Sequence, residues 1–368
     1  MISTNRVLHL TSELRRSGTV GQMRLLALEQ ARQGLDVHVC SLDGGDPSAA
    51  GLAAPGISVD GLGRRWPLDP QAFWQLWGHV QRLRPDLIHT WTRAAQAYGH
   101  AAARACHVRC VISTRRGAEP AADGLTQTID RYTAGRSDLL ATDTAAACNR
   151  YAEMGLPPAK VRVVPGGVEP APLPTSSRPQ LLAELGLPEK SRLVLMAGPL
   201  LARKRIKDAI WAADLLKVIR DDVYLLVLGS GAELDRLLRF RDQVVIRDKV
   251  RFLGERGDVA RFLPHGDVFW STSAVEGQSI AILEAMAAAL PVVATDIAGT
   301  RDLVVDGVTG HLVVPGHRAG FARWTNQLLD DALLAARLGA AGRQRARTQF
   351  SAENMLSRYG ELYRELSA

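Results

Sequence analysis

Residues 276–296 read EGQSIAILEAMAAALPVVATD. An apolar run of strand length and composition, Val268-Phe269-Trp270, precedes them. A turn containing Gly277 and Ser279 follows, and then Ile280 to Ala289, rich in strong helix formers. Pro291 stops that helix, and Val292-Val293-Ala294-Thr295 reads as the next buried strand. Ser279 stands where an N-cap is expected. Two carboxylates, Glu276 and Glu284, therefore bracket the N-terminus of one helix.

This placement has chemical content. Helical side chains lean toward the helix N-terminus, so Glu284 leans toward the turn that carries Glu276. Unpaired first-turn N–H groups and the macrodipole attract an anion such as a diphosphate. Carboxylates repel phosphate but accept hydrogen bonds from sugar hydroxyls. A ligand carrying both phosphate and vicinal hydroxyls, a nucleotide sugar, fits the pair better than bare phosphate does. By spacing alone the residues fit equally well as a Glu276 that complements the dipole and a solvated Glu284.

Working outward, 368 residues suit two ordinary domains. A 46% hydrophobic share and a mean hydropathy of -0.03 indicate a soluble globular chain with ample core. The net charge of +7 is dispersed, which suits acidic ligands or weak attraction to an anionic membrane surface and argues against nucleic acid. Cys40, Cys106, Cys110 and Cys148 form no CxxC pair, so reduced core thiols are expected. Cys106, His107 and Cys110 lack a second ligand pair, which argues against a metal corner. Met1 to Arg6 has no apolar signal region and no uncharged run reaches spanning length, so a cytoplasmic protein is expected.

The first half opens with a strand at Arg6–Leu10, a loop over Arg15–Gly21, a helix from about Gln22 to Gly34 and a strand at Val37–Cys40. This order is a βαβ unit of the doubly wound type. Gly18 and Gly21 would let a phosphate or sugar approach the backbone; turn formation explains them as well. A helix over Asp69–Leu83 carries Phe73, Leu76, Trp77 and Val80 at core spacing, with Trp74 off the stripe and open to peripheral membrane contact. Strands follow at Asp86–His89, Val111–Ser113, Asp138–Ala141 and Val161–Val164. His89–Arg93 and Thr114–Gly117 fall at carboxyl edges, where open α/β sheets place ligands. Arg115 and Arg116 there suit either an anion or a solvated loop. Residues 170–179, PAPLPTSSRP, read as a linker.

A second α/β series follows. After a short helix (Leu181 to Leu185), a strand at Leu193–Gly198 leads into Gly198-Pro199-Leu200-Leu201-Ala202-Arg203-Lys204-Arg205 and a helix from about Lys207 to Ile219. Three consecutive cations suit a diphosphate, or simply a solvated turn. Strands at Tyr224–Gly229 and Val250–Gly254 and a helix near Val259–Leu263 lead back to the opening stretch.

The order Gly198…Lys204, Gly229-Ser230-Gly231, Phe252-Leu253-Gly254, Glu276-Gly277…Glu284-Ala285-Met286-Ala287 and Asp306-Gly307-Val308-Thr309-Gly310-His311-Leu312-Val313 resembles the C-terminal pattern of retaining glycosyltransferase family 4. HTWTRAAQAYGHAAARACHV and VRVVPGGVEP resemble the N-terminal half of its exopolysaccharide-type members, less tightly. The resemblance implies an α/β GT-B fold, two doubly wound Rossmann-like domains facing a central cleft. The expected divisions are an acceptor domain at 1–172, a nucleotide-sugar domain at 173–350 and a helix at 351–368 that crosses back onto the first domain.

Carried across by motif, Glu284 would bind the nucleotide ribose, and Glu276 the donor sugar or its leaving phosphate. Arg203 and Lys204 would neutralise the diphosphate. Gly254 would lie near the base. Backbone N–H groups over Gly277, Gln278, Ser279 and Ile280 would hold donor sugar and phosphate, with Gly198 opening the phosphate loop and Gly18 facing it across the cleft. The implied reaction is transfer from a UDP- or GDP-sugar with retention, to a glycan or lipid-linked acceptor at the cytoplasmic membrane face. No DxD motif occurs, so no metal and no cofactor beyond the donor is expected. Several positions depart from the family: Pro199 where Arg is common, Trp91 in an HxH-like pair that keeps His89, and Arg116 in a TxHG-like strand end. Ser17-Gly18 replaces a double glycine, Gly166 the asparagine of PNGVD, and Ala289 a glycine. The departures at Pro199, Trp91 and Arg116 motivate the alternative of a catalytically impaired sugar-nucleotide-binding or partner protein.

Overall fold

The computed structural model describes residues 5–15, 17–46, 51–116, 124–174 and 176–367. The chain divides into two compact units, residues 1–167 with 352–368, and residues 168–351.

Among the described residues, the first unit holds a seven-stranded sheet of β1 (Arg6–Thr11), β2 (Asp36–Ser41), β3 (Ile57–Gly61), β4 (Leu87–Thr90), β5 (Cys110–Arg115), β6 (Leu139–Thr142) and β7 (Val161–Val163). The order is β3-β2-β1-β4-β5-β6-β7 and every pairing is parallel. Helices α1 (Gly18–Arg32), α2 (Pro70–Leu83), α3 (Arg93–Ala105), α4 (Gly124–Arg136) and α5 (Ala145–Glu153) connect the strands. Val7 and Leu8, adjacent on β1, enter different core clusters, because successive strand side chains point to opposite faces. Both faces of the inner strands are covered, so β1, β4, β5 and β6 are buried nearly throughout, whereas the edge strand β3 is largely exposed.

The second unit repeats the plan with α6 (Arg178–Glu184), β8 (Arg192–Ala197), α7 (Ile206–Ile219), β9 (Val223–Leu228), α8 (Leu234–Gln243), β10 (Val250–Gly254), α9 (Val259–Phe262), β11 (Val268–Ser271), α10 (Ile280–Ala287), β12 (Val292–Thr295), α11 (Ala298–Arg301), β13 (Gly310–Val313), α12 (Arg318–Asp330) and α13 (Ala332–Gln349). Its parallel sheet runs β10-β9-β8-β11-β12-β13. Val194 and Met196 of β8 pack with α7 and α12, whereas Leu193 and Leu195 pack with α10. In each sheet the strand order reverses at the centre, between β1 and β4 and between β8 and β11. Ligands of open α/β sheets bind outside the carboxyl ends of the strands at such points.

The last helix, α14 (Ala352–Ser367), belongs to the first unit. Met355, Tyr359, Leu362 and Tyr363, spaced i, i+4, i+7, i+8, enter its core beside α1 residues. The units divide at 167/168 and 351/352 rather than at 172/173 and 350/351. Val168 is already committed to the second unit: its N–H donates to the Phe350 carbonyl at 2.8 Å and it bridges Ser351. The Pro/Ser-rich segment therefore follows the division, and a capping box on Ser177 starts α6 within it.

Two helix boundaries move for identifiable reasons. α1 begins at Gly18, capped by Ser17 Oγ accepting from Val20 N–H at 3.2 Å, so the expected glycine loop is mostly a helix N-terminus. α10 ends at Ala287, two residues before the expected stop, because Ala289 adopts the left-handed conformation at φ 60°. The helix has turned away before Pro291 is reached.

Candidate functional site

The loops that leave the carboxyl ends of β8 and β11 meet at the switch point of the second sheet. After β8 the chain runs through Gly198 to a 3-10 turn at Ala202–Lys204, and Arg205 follows in the left-handed conformation at φ 49°. After β11 it runs through Thr272 and Ser273 to Glu276 and α10. Backbone ties join the two loops: Ala274 N–H donates to the Arg203 carbonyl and the Thr272 hydroxyl to the Lys204 carbonyl, both at 2.8 Å. Across this seam Lys204 Nζ is ion-paired to Glu276 Oε1, and Ser273 Oγ donates to Glu276 Oε2 at 2.9 Å. Both members of the ion pair are largely shielded, at 14% and 13% side-chain exposure, so solvent screens them less than a surface pair. A small cavity opens beside them, lined by Gly198, Pro199, Lys204, Thr272, Ser273 and Ser279.

Two glycines let these loops approach. Gly229 lies under the β8 loop, and a Cβ there would overlap the Gly198 carbonyl oxygen. Gly299, in α11, lies under the Glu276–Gly277 turn, and a Cβ there would overlap both of that turn's carbonyl oxygens. Neither position can carry a side chain without displacing the site.

Ser279 occupies the N-cap position of α10, yet its side chain makes no capping hydrogen bond. The N-cap position is the expected one, without the side-chain bond that usually accompanies it. The first-turn amides have no intrahelical acceptor and, among the described residues, no side chain caps them, which suits this N-terminus to an anion. One turn on, Glu284 is half-buried and, among the described residues, its carboxyl has no hydrogen-bonding or ionic partner. Burial raises its pKa to about 7. A shielded carboxyl with that affinity for protons is poised to take hydroxyl donors from a ligand.

The three cations of the β8 loop have different fates. Lys204 faces Glu276. Arg205 is held by Asp208 at 2.5 Å, and Asp208 also accepts from Arg318 at 2.8 Å, so Arg205 is structural. Arg203 is exposed and, among the described residues, its guanidinium is in no ion pair. Gly254 ends β10 at φ 73° and bridges Gly229. Glu276, Gly277, Ser279 and Lys204 are thus brought together, with Glu284 one helical turn away. Ser273, Thr272 and Gly299 were not anticipated; the polar run Ser271-Thr272-Ser273 after a buried strand was the available signal for the first two.

In the first unit the expected edge groups turn inward. His89 is fully buried, with Nδ1 2.7 Å from the Tyr363 hydroxyl and Nε2 2.7 Å from Thr114 Oγ1. Trp91 stacks on it at 4.4 Å and donates from Nε1 to His9 Nδ1 at 3.0 Å. Burial pushes both histidines' pKa down, His9 to about 4. Arg115 donates to the Tyr151 hydroxyl at 3.1 Å and pairs with Asp130 at 3.1 Å, so it is not an open anion site. Arg116 is buried 3.9 Å from Asp143 and fills the space over Gly166, where a Cβ would stand 2.6 Å from its guanidinium. Arg116 and the bare backbone of Gly166 are therefore packed against each other. Among the described residues no group of three or more His, Cys, Asp or Glu side chains is placed to hold a metal. No described helix is long and apolar enough to cross a membrane.

Comparison with known proteins matches residues 16–171 to Glycosyltransferase Family 4 and residues 177–345 to Glycosyl transferases group 1. Each half of the chain thus matches a glycosyltransferase family model, and together the two matches support a glycosyltransferase of the family 4 type. N-acetyl-alpha-D-glucosaminyl L-malate synthase of Bacillus anthracis is 27% identical over 67% of this chain and 64% of its own length. The lipopolysaccharide core biosynthesis glycosyltransferase LpsE of Rhizobium meliloti is 34% identical over 49% of this chain and 52% of its own. The chain thus spans less than two thirds of the length of these two relatives. HepE of Anabaena, solved in complex with UDP-glucose, superposes with a TM-score of 0.85 at 20% identity over 98% of this chain and 99% of its own, which establishes the GT-B fold.

Proposed function

We propose that this glycosyltransferase moves a sugar from a nucleoside diphosphate sugar to a glycan or lipid-linked acceptor with retention at the anomeric carbon and without a metal. The observation that carries the reading is the Lys204–Glu276–Ser273 network beside a helix N-terminus uncapped among the described residues, with Glu284, unpartnered among them, one turn away. Glu284 would accept from the ribose hydroxyls, and the α10 amides with Lys204 and Arg203 would take the diphosphate. Charge accumulates on the leaving diphosphate as the glycosidic bond breaks, so fixed cations and amides aimed at it lower the barrier. Lys204 would exchange Glu276 for phosphate as the donor enters, freeing Glu276 for the sugar. HepE's complex with UDP-glucose supports this donor class, and LpsE's part in lipopolysaccharide core biosynthesis supports a glycan acceptor.

Incubation with UDP- and GDP-sugars and a panel of lipid-linked acceptors, read as nucleotide release and by NMR of the product anomer, tests it. Retained configuration and insensitivity to a chelator are expected; an inverted product or chelator-abolished turnover refutes the corresponding part. A catalytically impaired sugar-nucleotide binder is the competing reading. It is favoured by the burial of His89, the kept member of the HxH-like pair, with both ring nitrogens engaged. Donor binding without release in any acceptor would select it.

A further inference from the structure

The first unit carries an aromatic surface that the sugar site does not use. Trp66, Leu68 and Trp74 are 52%, 82% and 62% exposed, large values for side chains of this size. They lie within eight positions of one another, where the loop after β3 runs into α2. Asp69 fixes that junction, capping α2 through Gln71 N–H at 2.9 Å and accepting from Arg65 N–H at 3.0 Å. Tyr98 adds hydroxyl contacts to the Pro67 and Asp69 carbonyls. The aromatics are therefore presented from an anchored loop and a regular helix. On α2, Ala72, Leu76 and Val80 are buried, and the outer face carries Gln71, Trp74, Gln75, Gln81 and Arg82. Trp74 packs edge-on against Trp77 at 5.6 Å, which extends the aromatic surface along the helix.

Charge selects the occupant. From Gly61 to Arg84 there are four arginines and one acidic residue, and that residue is the buried cap Asp69. Arg64 is paired with Asp43, whereas Arg65, Arg82 and Arg84 are exposed. The Cys106 thiol meets the Trp77 carbonyl at 3.8 Å, which brings the C-terminal end of α3, with exposed Arg104, alongside. Tryptophan and leucine at one end of a helix whose outer face is polar and cationic suit the boundary between headgroups and acyl chains. Exposed arginines in no ion pair among the described residues suit anionic lipid.

We propose that Trp66, Leu68 and Trp74, flanked by Arg65 and Arg82, form the face by which this protein docks onto an anionic bilayer, with α2 lying in the plane of the headgroups. This deepens the lipid-linked acceptor proposed above, because it names the surface that would bring the enzyme to such an acceptor. In co-sedimentation with phosphatidylcholine vesicles with and without phosphatidylglycerol, at about 0.15 M salt, the wild type should bind the anionic vesicles selectively. Trp66→Ser/Trp74→Ser should weaken binding at least about tenfold, and Arg65→Gln/Arg82→Gln should remove the preference for anionic lipid. Circular dichroism confirms folding, and nucleotide release with a soluble acceptor should be unchanged in both variants. A wild type indifferent to anionic vesicles, or a tryptophan variant that binds as the wild type does, overturns the proposal. So does a dimer that the tryptophan changes dissociate without any vesicle binding, which would assign the face to a second copy. Vesicle binding that persists while no sugar is transferred would instead refute the enzymatic reading and leave the docking face standing.

Discussion

Glu284 is the residue on which site and stability pull in opposite directions. Folded, it holds its proton to about pH 7, whereas an ordinary glutamate releases it near 4.5. The folded state therefore binds more protons between those values, and this contribution to stability declines as pH rises from 4.5 through 7. Glu284→Gln should raise the stability of the ligand-free protein at pH 8 by on the order of 2 kcal/mol and change it little at pH 4, read as Tm at each pH. The same change should weaken donor binding about tenfold, since a charge-assisted hydrogen bond is lost. Wild-type affinity should rise from pH 6 to 8 as the carboxylate ionises, and calorimetric titration of the variant should show no such rise. Lys204→Ala should lower kcat about a hundredfold with a smaller effect on KM, because its charge matters most when the leaving group carries its own. A variant with unchanged kcat would remove Lys204 from the mechanism.

At the scale of elements, the site depends on how closely turns approach. Gly299→Ala should push the Glu276–Gly277 turn outward, reducing turnover and costing roughly 1–3 kcal/mol of stability, as overpacking does. A crystal structure of the variant with an undisplaced turn would contradict this. Ala289 shows the reverse case. A left-handed alanine is disfavoured by about 1 kcal/mol, so Ala289→Gly should stabilise the second unit by up to that amount in urea unfolding.

For the molecule as a whole, the C-terminal helix returns to the first unit and completes its core. Tyr359→Ala should cost roughly 3–5 kcal/mol, and in calorimetry only the transition of the first unit should move. Acid acts on the same cluster. His9 and His89 are buried and neutral when folded but take protons readily once unfolded, so stability is present above 6.5 and lost as pH falls toward 4. For His9 alone that loss is about 3 kcal/mol. His9→Gln should flatten the acid limb of the first transition if this assignment holds.

The sequence by itself determined the two parallel sheets, since apolar runs of strand length alternate with helical segments and both faces of such sheets are buried. The resemblance carried by the order of its motifs implied that Glu276, Glu284 and Lys204 share one site. Only the tertiary structure decided what those groups do to one another. Lys204 and Glu276 are 72 positions apart, and their pairing exists because β8 and β11 are neighbours at the switch point. Spacing could not reveal that His89, Arg115 and Arg116 turn inward, because a side chain's direction at a strand end is set by what packs over it. In this chain α14, Tyr151, Asp130 and the bare backbone of Gly166 provide that packing.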